Sequence, residues 1–142
     1  MTRALHVRLP WPPSTNRTFR SRAYRAKNTG RLRAMTYLSD EGRVYRQEVL
    51  RCVLEQGIQR NLLTGRLSVS IVACPPDRRA RDLDNLLKSL LDSVRRAGLI
   101  RDDCDIDRLE IERWGVVPGG AVRVTITEIP AAVSAAAAKE AG

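Results

Sequence analysis

An amphipathic stretch from about Leu83 to Ala97 lies between two alternating runs, and this strand, helix, strand order constrains the fold more than any other feature of the chain. At 100° per residue, Leu83, Leu86, Leu87, Leu90, Leu91 and Val94 share one apolar arc, while Asp84, Asn85, Lys88 and Asp92 lie opposite. Asp82 is the expected N-cap, and Gly98 stands just past the end, where a left-handed residue stops a helix. Upstream, Leu67, Val69, Ile71 and Ala73 alternate with Ser68, Ser70, Val72 and Cys74, until Pro75-Pro76 ends the strand. Downstream, residues 106–117 alternate again, Pro118-Gly119-Gly120 turns the chain, and Val122, Val124 and Ile126 mark a last strand that closes a hairpin.

Ahead of this block, Leu5 to Leu9 alternate as a first strand, which Pro10-Trp11-Pro12-Pro13 terminates because proline donates no ladder hydrogen bond. Ser39 caps a helix that opens with Asp40 and Glu41 and carries the apolar stripe Val44, Tyr45, Val49, Cys52 and Val53; Gly57 ends it. Arg17 to Arg33 shows no clear period and reads as a loop that is mobile without a ligand. The resulting order, β-α-β-α-β-β, predicts an α/β (α+β) fold: one small domain with a mixed sheet packed by two helices. The domain is expected over residues 1–130, with an alanine-rich tail at 131–142, and the 142-residue chain shows no internal repeat. Cys52 and Cys74 read as small core residues; three widely spaced cysteines without a C-x-x-C pair give little support to a disulfide framework or a zinc site. No long apolar run and no signal-peptide core is present, so a soluble, cytoplasmic protein is expected.

Charge is partitioned. Residues 1–76 hold 14 Lys/Arg against four acids, and residues 77–142 hold 11 against 12. Eight of the nine aspartates fall between Asp77 and Asp107. A polycationic half points to a polyanionic partner, of which nucleic acid is the commonest. Arg17, Arg20, Arg22, Arg25 and Lys27, with Phe19 and Tyr24 interleaved, and Arg78, Arg79 and Arg81 are the candidate backbone contacts. A protein that is merely basic is the plainer alternative.

The carboxylates carry the chemistry. Asp82 and Asp84 flank the start of the helix and can reach one small volume, and hard cations such as Mg²⁺ take one or two carboxylates, completing their shell with water and phosphate. Lys88, one turn beyond Asp84, could meet the scissile phosphate or the leaving oxygen. Taken singly, the two aspartates are more simply explained by helix capping and dipole complementarity, and the lysine by an i,i+4 pair. The turn Arg101-Asp102-Asp103-Cys104-Asp105 offers a third carboxylate, one of Asp102 and Asp103, provided the following strand returns it to the helix entrance. An EF-hand reading of Asp103, Asp105 and Asp107 fails, since Arg108 occupies the glycine position and Trp114 the closing glutamate position. The one histidine, His6, lies in a strand, and no Gly-rich phosphate loop exists. Any enzyme here runs on carboxylates, lysine and metal.

Three separated motifs, Leu9-Pro10-Trp11-Pro12-Pro13-Ser14-x-Asn16-Arg17, Pro76-Asp77-Arg78-Arg79-x-Arg81-Asp82-Leu83-Asp84-Asn85-Leu86-x-Lys88 and Ala97-Gly98-Leu99-Ile100-x-Asp102-Asp103, together with the closing strand Val124 to Glu128, resemble the RusA Holliday-junction resolvases. The similarity is collinear over about residues 5–129. It implies a homodimer that binds branched DNA, a four-way junction, and nicks two strands symmetrically with Mg²⁺, with cleavage tending to fall 5′ of a CC dinucleotide. By motif position Asp82, Asp84 and Asp103 match the family's catalytic, metal-holding aspartates and Lys88 its essential lysine, with Asp102 the second choice for the third aspartate. The arginine tract 17–33 and the alanine tail depart from the pattern. Two other functions fit the same residues: a non-catalytic basic nucleic-acid-binding module, and a metal-dependent RNA nuclease.

Overall fold

The computed structural model describes residues 2–141. In chain order it contains β1 (Ala4–Pro10), α1 (Thr15–Thr18), β2 (Phe19–Arg25), β3 (Leu32–Leu38), α2 (Asp40–Glu55), β4 (Leu67–Cys74), α3 (Asp84–Arg96), a 3-10 turn (Asp103–Asp105), β5 (Ile106–Arg113), β6 (Ala121–Glu128) and α4 (Ala131–Ala141). The main sheet has the order β1-β6-β4-β5. β6 pairs antiparallel with both β1 and β4, and β4 pairs parallel with β5. The mixed sheet and small α/β domain expected from sequence are present, with two differences.

The first concerns the end of the chain. β5 and β6 do not form a hairpin, because β4 lies between them. The connection runs past the end of β4, where Trp114 N–H donates to the Ala73 carbonyl and Val117 N–H to that of Pro75, before Gly120 N–H closes a turn on Val117. That span can step across one strand, roughly 10 Å of sheet. Burial explains the order: Leu67, Val69, Ile71 and Ala73 of β4 are at most 1% exposed, so β4 needs neighbours on both sides, whereas β5 is an exposed edge.

The second concerns the arginine tract. It is not a loop but a two-stranded antiparallel hairpin, β2–β3, in a register that runs from Phe19 opposite Leu38 to Arg25 opposite Leu32. Its alternation was hidden because nearly every residue in it is exposed.

One face of the sheet carries Leu5, Val7 and Leu9 of β1, the four β4 residues, and Val122, Val124 and Ile126 of β6. Tyr45, Val49 and Val53 of α2 and Leu86, Leu90 and Val94 of α3 cover that face. Ser39 caps α2 by accepting from Gly42 N–H at 3.1 Å, and Gly57, with φ +66°, ends it, as expected. Cys74 is buried and Cys52 packs partly buried against the core. A β-carbon on Gly42 would lie 2.7 Å from Leu38 Cδ1 and 2.9 Å from the Thr18 carbonyl oxygen, so the hairpin root can seat on α2 only over glycine. Among the described residues no helix is long and apolar enough to cross a membrane.

Candidate active site

The segment from Pro75 to Leu83 leaves the C-terminal end of β4 and delivers the chain to α3. Asp77 organises it. Its carboxylate accepts from Arg81 Nη1 at 2.6 Å and from the Arg79 backbone N–H at 2.9 Å. These bonds to the charged form, the Arg81 side chain first and the backbone second, hold the Asp77 pKa down to about 2. The Arg81 guanidinium sits 5.9 Å from the Trp11 ring centroid, and Arg113 donates to the Arg81 carbonyl. Three parts of the chain, the segment itself, Trp11 after β1 and Arg113 of β5, thereby fix the approach to the helix.

Asp82 does not cap α3. The helix begins at Asp84, the cap position is held by Leu83, and no side chain makes a capping bond there. Asp82 and Asp84 are both exposed, and among the described residues neither carboxylate takes part in an ion pair or a side-chain hydrogen bond. The expected Asp84–Lys88 pair is absent from the ion pairs of the described residues. Lys88 Nζ instead lies 4.6 Å from the centroid of Phe19, the first residue of β2. The contact is reinforced beneath by a buried hydrogen bond from Thr18 Oγ1 to Ser89 Oγ at 3.0 Å and by Thr15 Oγ1 donating to the Asn85 carbonyl. Two free carboxylates, one ammonium and the root of a basic hairpin therefore share the N-terminal end of α3.

Asp103 lies elsewhere. Because β4 and β5 run parallel, α3 must travel back along the sheet between them, and the turn before β5 falls at the opposite end from Asp82. The helical residues whose charges act on Asp103 are Asp92 and Arg95, and from Asp84 to these the axis advances about 12 and 16 Å. The convergence of Asp82, Asp84 and Asp103 within one chain is thus not found. Among the described residues no cluster of three Asp, Glu, His or Cys side chains could hold a metal ion.

Most carboxylates of that turn have structural partners. Asp102 accepts from Cys104 N–H at 3.1 Å, which keeps its pKa below the ordinary value. Asp105, only 4% exposed, receives both Arg101 Nη2 at 2.8 Å and Nε at 3.1 Å. Arg66 binds Asp107 and the Cys104 carbonyl. Asp103 alone has no such bond among the described residues; partial desolvation raises its pKa, opposed by Arg95 and assisted by Asp102 and Asp92.

The basic candidates divide similarly. Arg78 is exposed, and Arg79 reaches Asp77 only at 3.7 Å from an 83% exposed side chain, whereas Arg81 is largely engaged. Arg20, Arg22 and Lys27 project from the hairpin, and Arg25 donates to the Gly30 carbonyl at 2.9 Å in its turn. Arg17 lines a cleft of about 710 Å³ beside Asp82, walled also by Trp11, Glu41, Glu48 and Arg79. Sequence reasoning missed Glu41 and Glu48, for which it had only the helix-dipole role of the first. It also missed Met35 and Tyr37 of β3, where only side-chain bulk alternates and burial does not.

Known proteins with similar sequences agree on one family. A match to endodeoxyribonuclease RusA spans residues 10–127. The crossover junction endodeoxyribonuclease RusA of Enterobacteria phage HK97 is 38% identical over 122 residues, 85% of this chain and 92% of the relative. Those of Enterobacteria phage 82 and Escherichia coli are each 37% identical, over 87% of this chain and 94% and 93% of their own lengths. With that coverage, the chain belongs to the RusA family of endodeoxyribonucleases.

Proposed function

We propose that this protein is a structure-specific endodeoxyribonuclease that resolves four-way DNA junctions by Mg²⁺-dependent phosphodiester hydrolysis, acting in recombination and repair in the cytoplasm. The observation that carries the reading is the pair Asp82 and Asp84: two exposed carboxylates without a protein partner among the described residues, one helical turn from Lys88, in a family of endodeoxyribonucleases. Had the aspartates been helix caps, Asp82 would hold a backbone N–H; among the described residues it holds none, which disfavours a capping role.

The donor set fits a hard divalent cation, since two carboxylates are what Mg²⁺ takes from protein before water and phosphate complete its shell. When bound, such an ion supplies Lewis-acid stabilisation of phosphate charge and a more acidic water. Asp82 and Asp84 hold it, Lys88 neutralises the phosphate or the leaving oxygen, and the Phe19 ring beneath keeps that ammonium in place. Arg17, Arg78 and Arg79 flank the site as phosphate contacts, and the hairpin arginines extend the basic track.

Asp103 enters this scheme through symmetry. A four-way junction is two-fold, and a homodimer presents equivalent sites to equivalent strands. With Asp103 at the far end of α3 and unbonded, we assign it to the site of a second copy, where it joins Asp82 and Asp84 from across the interface; Asp102, committed to Cys104, does not take that place.

The test is a gel assay of purified protein on a four-way junction, a linear duplex and a folded RNA, with and without Mg²⁺. Symmetric nicking of the junction alone, dependent on the ion, is expected. Cutting of RNA in preference would favour an RNA nuclease, and tight junction binding without any cleavage would favour the binding module.

A further inference from the structure

The hairpin has two dissimilar faces. Residues opposite one another in an antiparallel pair project to the same side, so Arg20, Arg22 and Tyr24 of β2 share a face with Tyr37, Met35 and Arg33 of β3. The other face bears Ser21, Ala23, Ala34 and Thr36 in its middle rows, between Phe19 and Leu38 at the root and Arg25 and Leu32 at the tip. Between root and tip the bulk is on one side. Tyr24, Met35 and Tyr37 run across that side in successive rows, about 6–7 Å apart. They are 43%, 48% and 42% exposed. Arg20, Arg22 and Arg33 stand between them, with no ion pair among the described residues, and residues 17–39 contain no acid.

A ribbon meant only to be solvated needs no aromatic or thioether side chains, and one meant only to grip phosphates needs none either. Alternating cations and flat apolar groups are what a strand of nucleic acid with unstacked bases requires: π-faces for the bases, guanidinium groups for the phosphates between them. In linear duplex those base faces are covered by their neighbours; at a branch point they are not. The root of the ribbon is pinned beside Lys88 by the Phe19 contact, by Ser39 N–H donating to the Thr18 carbonyl at 2.9 Å, and by Gly42 beneath. We propose that the Tyr24–Met35–Tyr37 face of the β2–β3 hairpin is a stacking surface for bases exposed at the branch of the DNA, with Arg20, Arg22 and Arg33 holding the flanking phosphates. The proposal rests on the junction-nuclease reading for its substrate.

Binding is measured in metal-free buffer, so that no cleavage intervenes, on a four-way junction, a linear duplex of the same length and a single-stranded oligonucleotide. The full chain is compared with Tyr24→Ala/Tyr37→Ala and with Tyr24→Phe/Tyr37→Phe. The alanine pair should weaken junction and single-strand binding by about tenfold or more for each tyrosine, leave duplex binding within about twofold, and be rescued by phenylalanine, which keeps the ring. Unchanged duplex binding also shows that the alanine variant is folded. Equal losses on duplex and junction would make the face a groove or phosphate contact and overturn the proposal, as would no loss on either. A wild-type protein that binds the junction no better than duplex would sink the junction reading by itself; the single-strand comparison would then still decide whether the tyrosines stack.

Discussion

The two ends of α3 hold similar numbers of acids and treat them in opposite ways. At the C-terminal end, Asp102 closes the 3-10 turn, Asp105 is buried against Arg101, and Asp107 is bound by Arg66. At the N-terminal end, Asp82 and Asp84 are left to solvent while Asp77, a few residues earlier, takes the arginine and backbone bonds that shape the approach. Bonded carboxylates build the fold, and unbonded ones are available to a ligand. By that criterion the two ends of α3 offer, among the described residues, three aspartates of interest, Asp82, Asp84 and Asp103, and the helix separates the third from the first two.

The sharpest way to break this contrast is Asp82→Asn. Cleavage of a four-way junction should fall on the order of a thousandfold or more, because several kcal/mol of charge stabilisation leave with the ligand. Binding should persist or strengthen, since a charge that repels phosphate is gone, and the melting temperature should not drop. Undiminished cleavage would remove Asp82 from the chemistry. Mixing comes next in size. If Asp103 serves the site of a second copy, a heterodimer of an Asp82→Asn chain and an Asp103→Asn chain keeps one intact site. Two inactive proteins mixed and allowed to exchange should then regain about a quarter of the wild-type sites. If all three aspartates act within one chain, the mixture stays inactive, and a nicking assay separates the two outcomes.

Asp105→Ala probes the other side of the comparison. The side chain is only 6% exposed and holds a two-bond contact to Arg101, so its loss should be structural. Because Arg101 is itself 75% exposed, the cost should be modest, about 1–2 kcal/mol, or roughly 3–7 °C in Tm by calorimetry. Cleavage per folded molecule should be unaltered; a large loss of turnover at unchanged stability would show that bonded acids in this turn also serve the reaction.

What could be read from sequence follows from where periodicity survives. The strand–helix–strand block was legible because β4 and α3 bury one face each, and burial imprints a period. The arc chosen on α3 was nevertheless turned too far toward its leucines. Ser89 and Ser93 are buried, while Leu83, Leu87 and Leu91 are only partly so, because small side chains let Thr18 approach the helix. The β2–β3 hairpin escaped because an exposed ribbon imprints no burial pattern, only an alternation of bulk. The missing hairpin between β5 and β6 was a topological matter: alternation specifies a strand but not its neighbour, and only the full burial of β4 decides that it stands between them. The family resemblance grouped Asp82, Asp84 and Asp103 as a set. It could not say that parallel pairing of β4 and β5 sends Asp103 to the opposite end, since the direction of pairing is carried by no single residue.

The smallest effect belongs to Asp77, the bonded acid at the reactive end. Its folded-state pKa is depressed to about 2, so its ionised form is favoured by the fold. The stabilisation is therefore fully present above the ordinary carboxylate pKa of 3.8, declines as pH falls below it, and is lost as pH falls through about 2. Asp77→Asn should lower Tm slightly at neutral pH, and the gap from wild type should close on titration from pH 4 to pH 2. At neutral pH the same variant should also slow cleavage by a few-fold, because Arg81 loses the charged partner that helps set the start of α3. A gap that stayed constant with pH would mean that the Asp77 charge is not what holds the loop, and that its shape comes from the Arg81–Trp11 contact and the Arg113 bond instead.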